Sequence, residues 1–79
     1  MKLPRDLSGT NLAKHLCKLW NYEQVHQVGS HLILETSVPA HHRLAVPSHN
    51  PLRIGTLNAI LSAVSANKGV SKEEILKGI

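Results

Sequence analysis

The segment Val28-Gly29-Ser30-His31-Leu32-Ile33-Leu34 constrains the chain most. Gly-Ser is a tight-turn signal, and here it hands a histidine to the first position of an apolar strand. From His31 to Val38 the residues are rich in β-branched and aliphatic types, which predicts a strand. A period of two puts Leu32, Leu34 and Thr36 on one face and His31, Ile33 and Glu35 on the other. With Leu32 and Leu34 turned to a core, His31 looks out from the open side of a sheet. The ladder holds its backbone while the ring stays open to a ligand. Imidazole takes and gives protons near neutrality, with an ordinary pKa of about 6.5, so the position suits general acid–base chemistry. A histidine at a turn–strand junction is also commonly a half-exposed polar residue with no role, so the flanking sequence matters.

Met1 to Asp6 reads as a polar, proline-containing lead-in. Ser8 is a candidate helix cap, with Leu7 and Leu12 at the two positions of a hydrophobic staple. Leu12, Leu16, Leu19 and Trp20 recur at helical spacing and make one face apolar. Asn11, Lys14, His15 and Lys18 occupy the other face, either as solvated residues or as a basic surface for phosphates. Asn21 suits a left-handed stop. Tyr22 to Val28 is a short strand candidate with Val25 as its best apolar residue. Pro39-Ala40-His41 reads as the next turn, and Arg43 to Val46 as a third strand ended by Pro47, which cannot donate to a ladder.

After the loop Ser48-His49-Asn50-Pro51, a second helix starts between Pro51 and Thr56. Leu57, Ile60, Leu61 and Val64 mark its buried face. Gly55 in its first turn is unusual, since glycine costs about 1 kcal/mol of helix propensity. Approach of a phosphate to the free amides or close helix–sheet packing would each account for it. Lys68-Gly69 closes this helix. Ser71 with Glu74 forms a capping box, and Val70 with Ile75 a staple, opening a short last helix. The order is helix, three strands, helix and short helix. Tight turns between strands make the sheet antiparallel, with the helices on one face of it. This is α+β, in the layout of the double-stranded-RNA-binding domain.

Seventy-nine residues make one domain with a small core, aliphatic because the chain has no Phe, one Trp and one Tyr. The single cysteine, Cys17, excludes an intramolecular disulfide and reads as a small buried hydrophobe. Neither a signal peptide nor a membrane span is visible, which fits a reducing cytoplasm. The formal charge is +4 with six further histidines. Between Leu7 and Ser71 the acids are Glu23 and Glu35, against Lys14, Lys18, Arg43, Arg53, Lys68 and all the histidines. Such a middle points to a polyanionic partner, either nucleic acid or an acidic protein.

Taken together, the capped helix, Asn21-Tyr22, Gly29-Ser30-His31 opening an apolar strand, Val46-Pro47-Ser48-His49, and Gly55-Thr56-Leu57 with Ile60-Leu61 resemble the HicA (YcfA-like) family of toxins. The resemblance covers the chain from about Ser8 to Ile75, and as a single HicA-like domain it accounts for residues 1–79. It implies a fold similar to the double-stranded-RNA-binding domain, ribosome-independent cleavage of mRNA with His31 as the catalytic residue, and a HicB-like antitoxin partner covering that site.

Metal-free RNA cleavage needs a base for the attacking 2′-hydroxyl, cations for the phosphorane charge and an acid for the leaving oxygen. His31 serves as base, Lys14, Lys18, Arg43 and Arg53 are the available cations, and these four with Ser30 are the candidate RNA-binding residues. The acid is open among His49, His42 and water. No cofactor is expected. A metal site is not expected either: adjacent His41 and His42 point to opposite faces of a strand, and a structural zinc site wants more cysteines than one. The alternative reading is a non-catalytic RNA-binding module of the double-stranded-RNA-binding-domain type, reading shape through phosphates and 2′-hydroxyls. A helix-turn-helix DNA-binding protein fits poorly, because three strands separate the helices. Base stacking on a sheet fits poorly too, with Tyr22 and Trp20 the sole aromatics.

Overall fold

Ser8 opens the first helix as its spacing predicts. Its extended backbone stops the preceding chain and its hydroxyl accepts from the Asn11 amide at 3.1 Å. The computed structural model describes residues 3–79, so Met1 and Lys2 of the lead-in lie outside the described residues. Helix α1 (Gly9–Leu19) buries Leu12, Ala13 and Leu16 along one stripe, and Leu7 and Leu12 are both buried at the staple positions. Asn21 takes φ 61°, the left-handed stop after the helix.

Three strands follow: β1 (Glu23–Val28), β2 (His31–Thr36) and β3 (His42–Pro47), antiparallel in the order β1-β2-β3. Val28 pairs with His31, so the β1–β2 turn has two residues, and Gly29 supplies its positive φ of 59°. A left-handed residue at the first central position only is the type II′ pattern, whose twist matches that of the strands. Burial alternates along β2: Leu32, Leu34 and Thr36 are covered, while His31 is exposed and Ile33 and Glu35 are half-buried. In β3, Leu44 and Val46 are buried and Arg43 and Ala45 exposed.

β2 ends at Thr36 rather than Val38. The Thr36 hydroxyl donates to the Val38 carbonyl and accepts from its amide, each at 3.3 Å, which turns the chain away from the ladder just before Pro39. Tyr22 precedes β1 instead of joining it; it is buried in the core, against which Trp20 packs. Val25, read as the apolar anchor of β1, is instead the extra residue of a β-bulge, unpaired between Gln24 and His26 and partly exposed.

Helix α2 (Ile54–Lys68) buries Leu57, Ile60, Leu61 and Val64 and ends at Gly69 with φ 68°. α3 (Lys72–Leu76) is capped by the Ser71 hydroxyl on the Glu74 amide at 3.1 Å. This is half a capping box, because the Glu74 carboxylate pairs with Lys77 at 3.0 Å. Close packing does not explain Gly55, since a Cβ there would have no neighbour within 4 Å.

The result is an α+β fold with a three-stranded antiparallel sheet. α1 lies across all three strands, α2 packs on β3 and α3 packs on α2, so the helices cover the leucine face of the sheet. The face bearing His31 is left open by the described residues. Among them no helix is long and apolar enough to cross a membrane.

Candidate functional site

His31 sits where three backbone constraints meet. The two-residue turn fixes it opposite Val28, β3 pairs it with Pro47, and the Ser48 amide donates to the Ser30 carbonyl at 2.7 Å. The loop carrying Ser48 is itself tied to the first helix, with Gly9 N donating to the His49 carbonyl at 2.9 Å and Leu52 N to the Leu7 carbonyl at 2.8 Å. The His31 ring is exposed, and no hydrogen bond within the described residues occupies it. Its neighbours on the open face are Val28, Ile33, Ala45 and Pro47, which are small or apolar, and the diagonal His26.

On the helix side of the same hairpin a groove of about 770 Å³ runs between α1 and β1, with Lys14 and Lys18 on one wall and Gln24 and Gln27 on the other. Leu32 at the start of β2 and Ser48 after β3 also line it. Gln27 is also bound to the Gly29-Ser30 turn, its amide donating to the Gly29 carbonyl at 3.3 Å. Two of the four expected cations therefore line one groove, on the side of the sheet opposite His31. Ser30 is exposed in the turn itself.

The other two cations lie elsewhere. Arg43 is opposite Glu35, four positions along β2 from His31 and so about 13 Å away, and it pairs with that carboxylate at 3.7 Å. Arg53 occupies the N-cap position of α2, exposed and with no side-chain cap bond. Neither forms part of the groove wall.

Cys17, expected as buried, is only half-buried and lines the groove. Burial pushes its thiol up; a hydrogen bond from the Gln24 backbone opposes this and the Glu23 charge adds to it. A thiol held protonated is a poor nucleophile, so Cys17 serves as groove wall.

The remaining histidines are largely spoken for. His15 Nε2 lies 2.6 Å from the Ile75 carbonyl and joins α1 to α3. His41 lies 3.2 Å from the Glu35 carboxylate. His42 Nδ1 lies 2.8 Å from the Tyr22 hydroxyl, on the helix side opposite Thr36 and at the far end of β2 from His31. Lys68 reaches the same corner, binding the Thr36 hydroxyl at 2.9 Å and the Val38 carbonyl, with its ammonium 4.8 Å from the Tyr22 ring centre. Desolvation lowers the Lys68 pKa. His42 is thereby a structural partner of Tyr22, set apart from the His31 end. No three His, Cys, Asp or Glu side chains among the described residues gather as a metal-binding group.

Gln24, Gln27 and His26 carry no sequence motif, and hydrophobic spacing does not single them out. The turn is their signal. Counting back from Gly29 with Val28 opposite His31 puts Gln27 on the helix side and His26 on the open side, and the bulge at Val25 then returns Gln24 to the helix side. In comparisons with known proteins, no family model, no curated protein and no solved structure matches this chain.

Proposed function

We propose that this chain is an endoribonuclease toxin that cleaves mRNA without the ribosome and without metal, using His31 to move the proton of the attacking 2′-hydroxyl. On this reading the fold is that of the double-stranded-RNA-binding domain, and a HicB-like antitoxin protein masks the site in a cytoplasmic setting. The observation that carries it is the His31 ring, exposed and without a hydrogen-bond partner among the described residues, on the central strand and on a backbone pinned from both sides. A free imidazole supplies the proton transfer that phosphodiester cleavage needs, and the lysines on the helix side offer the RNA backbone a basic surface. The +4 charge favours a more acidic antitoxin, with an encounter sped by complementary charge and weakened by salt.

His31→Ala tests the reading. Replacing an exposed residue changes stability by about 0.5 kcal/mol or less at a typical surface site, whereas losing a proton-transfer group costs about 10²–10⁴ in rate. Circular dichroism and melting should stay as in the wild type, RNA should still bind, and cleavage should collapse. A folded variant that still cuts RNA at the wild-type rate removes His31 from the chemistry. Wild-type protein that binds RNA and never cuts it leaves the non-catalytic RNA-binding module.

A further inference from the structure

We propose that His26 is the second proton-transfer group of the RNA-cleaving site, protonating the 5′-oxygen that leaves while His31 takes the proton of the 2′-hydroxyl that attacks. The inference rests on the cleavage role proposed for His31. In the reaction, the 2′-oxygen bonds to phosphorus as its proton passes to His31. The bond from phosphorus to the 5′-oxygen breaks as protonated His26 gives its proton to that oxygen. The products are a 2′,3′-cyclic phosphate and a 5′-hydroxyl, and the two imidazoles end in exchanged protonation states that solvent resets.

The register supplies the geometry. Val28 faces His31, and His26 faces Ile33. Directly opposed residues share a face, so His26 and His31 are diagonal neighbours on the open side of the sheet, about 7–8 Å apart by the usual spacing of such pairs. An in-line displacement puts the attacking and leaving oxygens on opposite sides of phosphorus, so its acid and base must stand apart, each within about 2.6–3.2 Å of its oxygen. A diagonal pair spans that gap, whereas a directly opposed pair would crowd it. The bulge at Val25 adjoins His26 and adds local twist to β1, a device common next to active sites.

Elimination among the other groups agrees. His15, His41 and His42 each hold a structural partner. On the open face Glu35, Arg43 and His41 are bound to one another at the far end of the strands. The His26 side chain is exposed and has no hydrogen-bond partner among the described residues. Arg43, the arginine on this face, is committed to Glu35. His49 follows β3 in the loop; its carbonyl is anchored to Gly9, and its ring belongs to no sheet face.

The test separates acid from base by the leaving group. An RNA oligonucleotide is compared with the same oligonucleotide carrying sulfur in place of the 5′-oxygen at the cleaved bond, since a thiolate leaves without being protonated. His26→Ala should slow cleavage of ordinary RNA by about 10²–10⁴ and return close to the wild-type rate on the sulfur-bridged substrate. His31→Ala should stay slow on both. Melting curves of both variants should match the wild type, since both positions are exposed. Wild-type rates in His26→Ala, equal loss on both substrates, or the rescue pattern in His49→Ala instead would each overturn the role of His26 while leaving His31 in place. Failure of the wild-type protein to cut either substrate would overturn both readings.

Discussion

At Gly9 the space for one methyl group decides how the first helix meets the end of β3. A Cβ there would lie 1.6 Å from the Pro47 carbonyl oxygen and 2.7 Å from its carbon, both backbone atoms that cannot swing aside. Pro47 is the residue directly across from His31, so the close approach of α1 sets the sheet end that carries the site. Gly9→Ala should therefore destabilise by about 1–3 kcal/mol or more through forced backbone movement, a fall of about 4–8 °C per kcal/mol for a domain this small. Cleavage should fall with it, because Pro47 moves. Gly55 is the matched control. It has nothing within 4 Å of an added Cβ, and alanine favours a helix by about 1 kcal/mol over glycine, so Gly55→Ala should raise the melting temperature. Shifts of the same sign in the two variants would dismiss the close-approach account of Gly9.

Lys14 and Lys18 stand one turn apart on α1 and share the groove wall, so the helix presents them to one partner together. Exchanging either for Gln in a non-cleaving His31→Ala background should weaken RNA binding whatever the sequence. The slope of log affinity against log salt should shrink by roughly 0.7 for each single-strand phosphate no longer neutralised. Arg43→Gln should change little, since that guanidinium is paired with Glu35; a weakening larger than that of the lysine variants would move the RNA path to the open face. The helices and central strand were legible because each carries a one-sided apolar pattern with its own cap: Leu12 and Leu16 after Ser8, Leu57 to Val64 before Gly69, Leu32 and Leu34 after the turn. β1 was legible as a strand to within one residue, but its faces were not, because all six of its residues are exposed and so follow no alternation. A bulge in such a strand leaves no trace in hydrophobicity, which is why Val25 looked like an anchor.

Across the whole molecule, helices cover one side of the sheet and His31 faces the other, while the lysine groove lies on the helix side. The outward direction of His31 followed from the period of β2. That Lys14 and Lys18 gather while Arg43 and Arg53 do not depends on tertiary packing, which residue spacing along the chain does not encode. The corner at the far end of the sheet has a separate role, in stability. Tyr22 is buried there, and burial pushes its phenol up from 10.0 to about 12. Between those values the folded state keeps a proton that the unfolded chain releases, so stability falls as pH rises through the window. The lowered Lys68 acts with the opposite sign, adding stability as pH rises toward 10.5 and nothing further above it. Cys17, raised from 9.0, acts with the same sign as Tyr22 but from a lower onset. In a Cys17→Ala background the melting temperature should therefore show no decline up to about pH 10 and then fall toward pH 12. Tyr22→Phe in that background should start lower, having lost the bond to His42, and should show no fall across the same interval. An equally steep alkaline decline in Tyr22→Phe would assign the transition to another group.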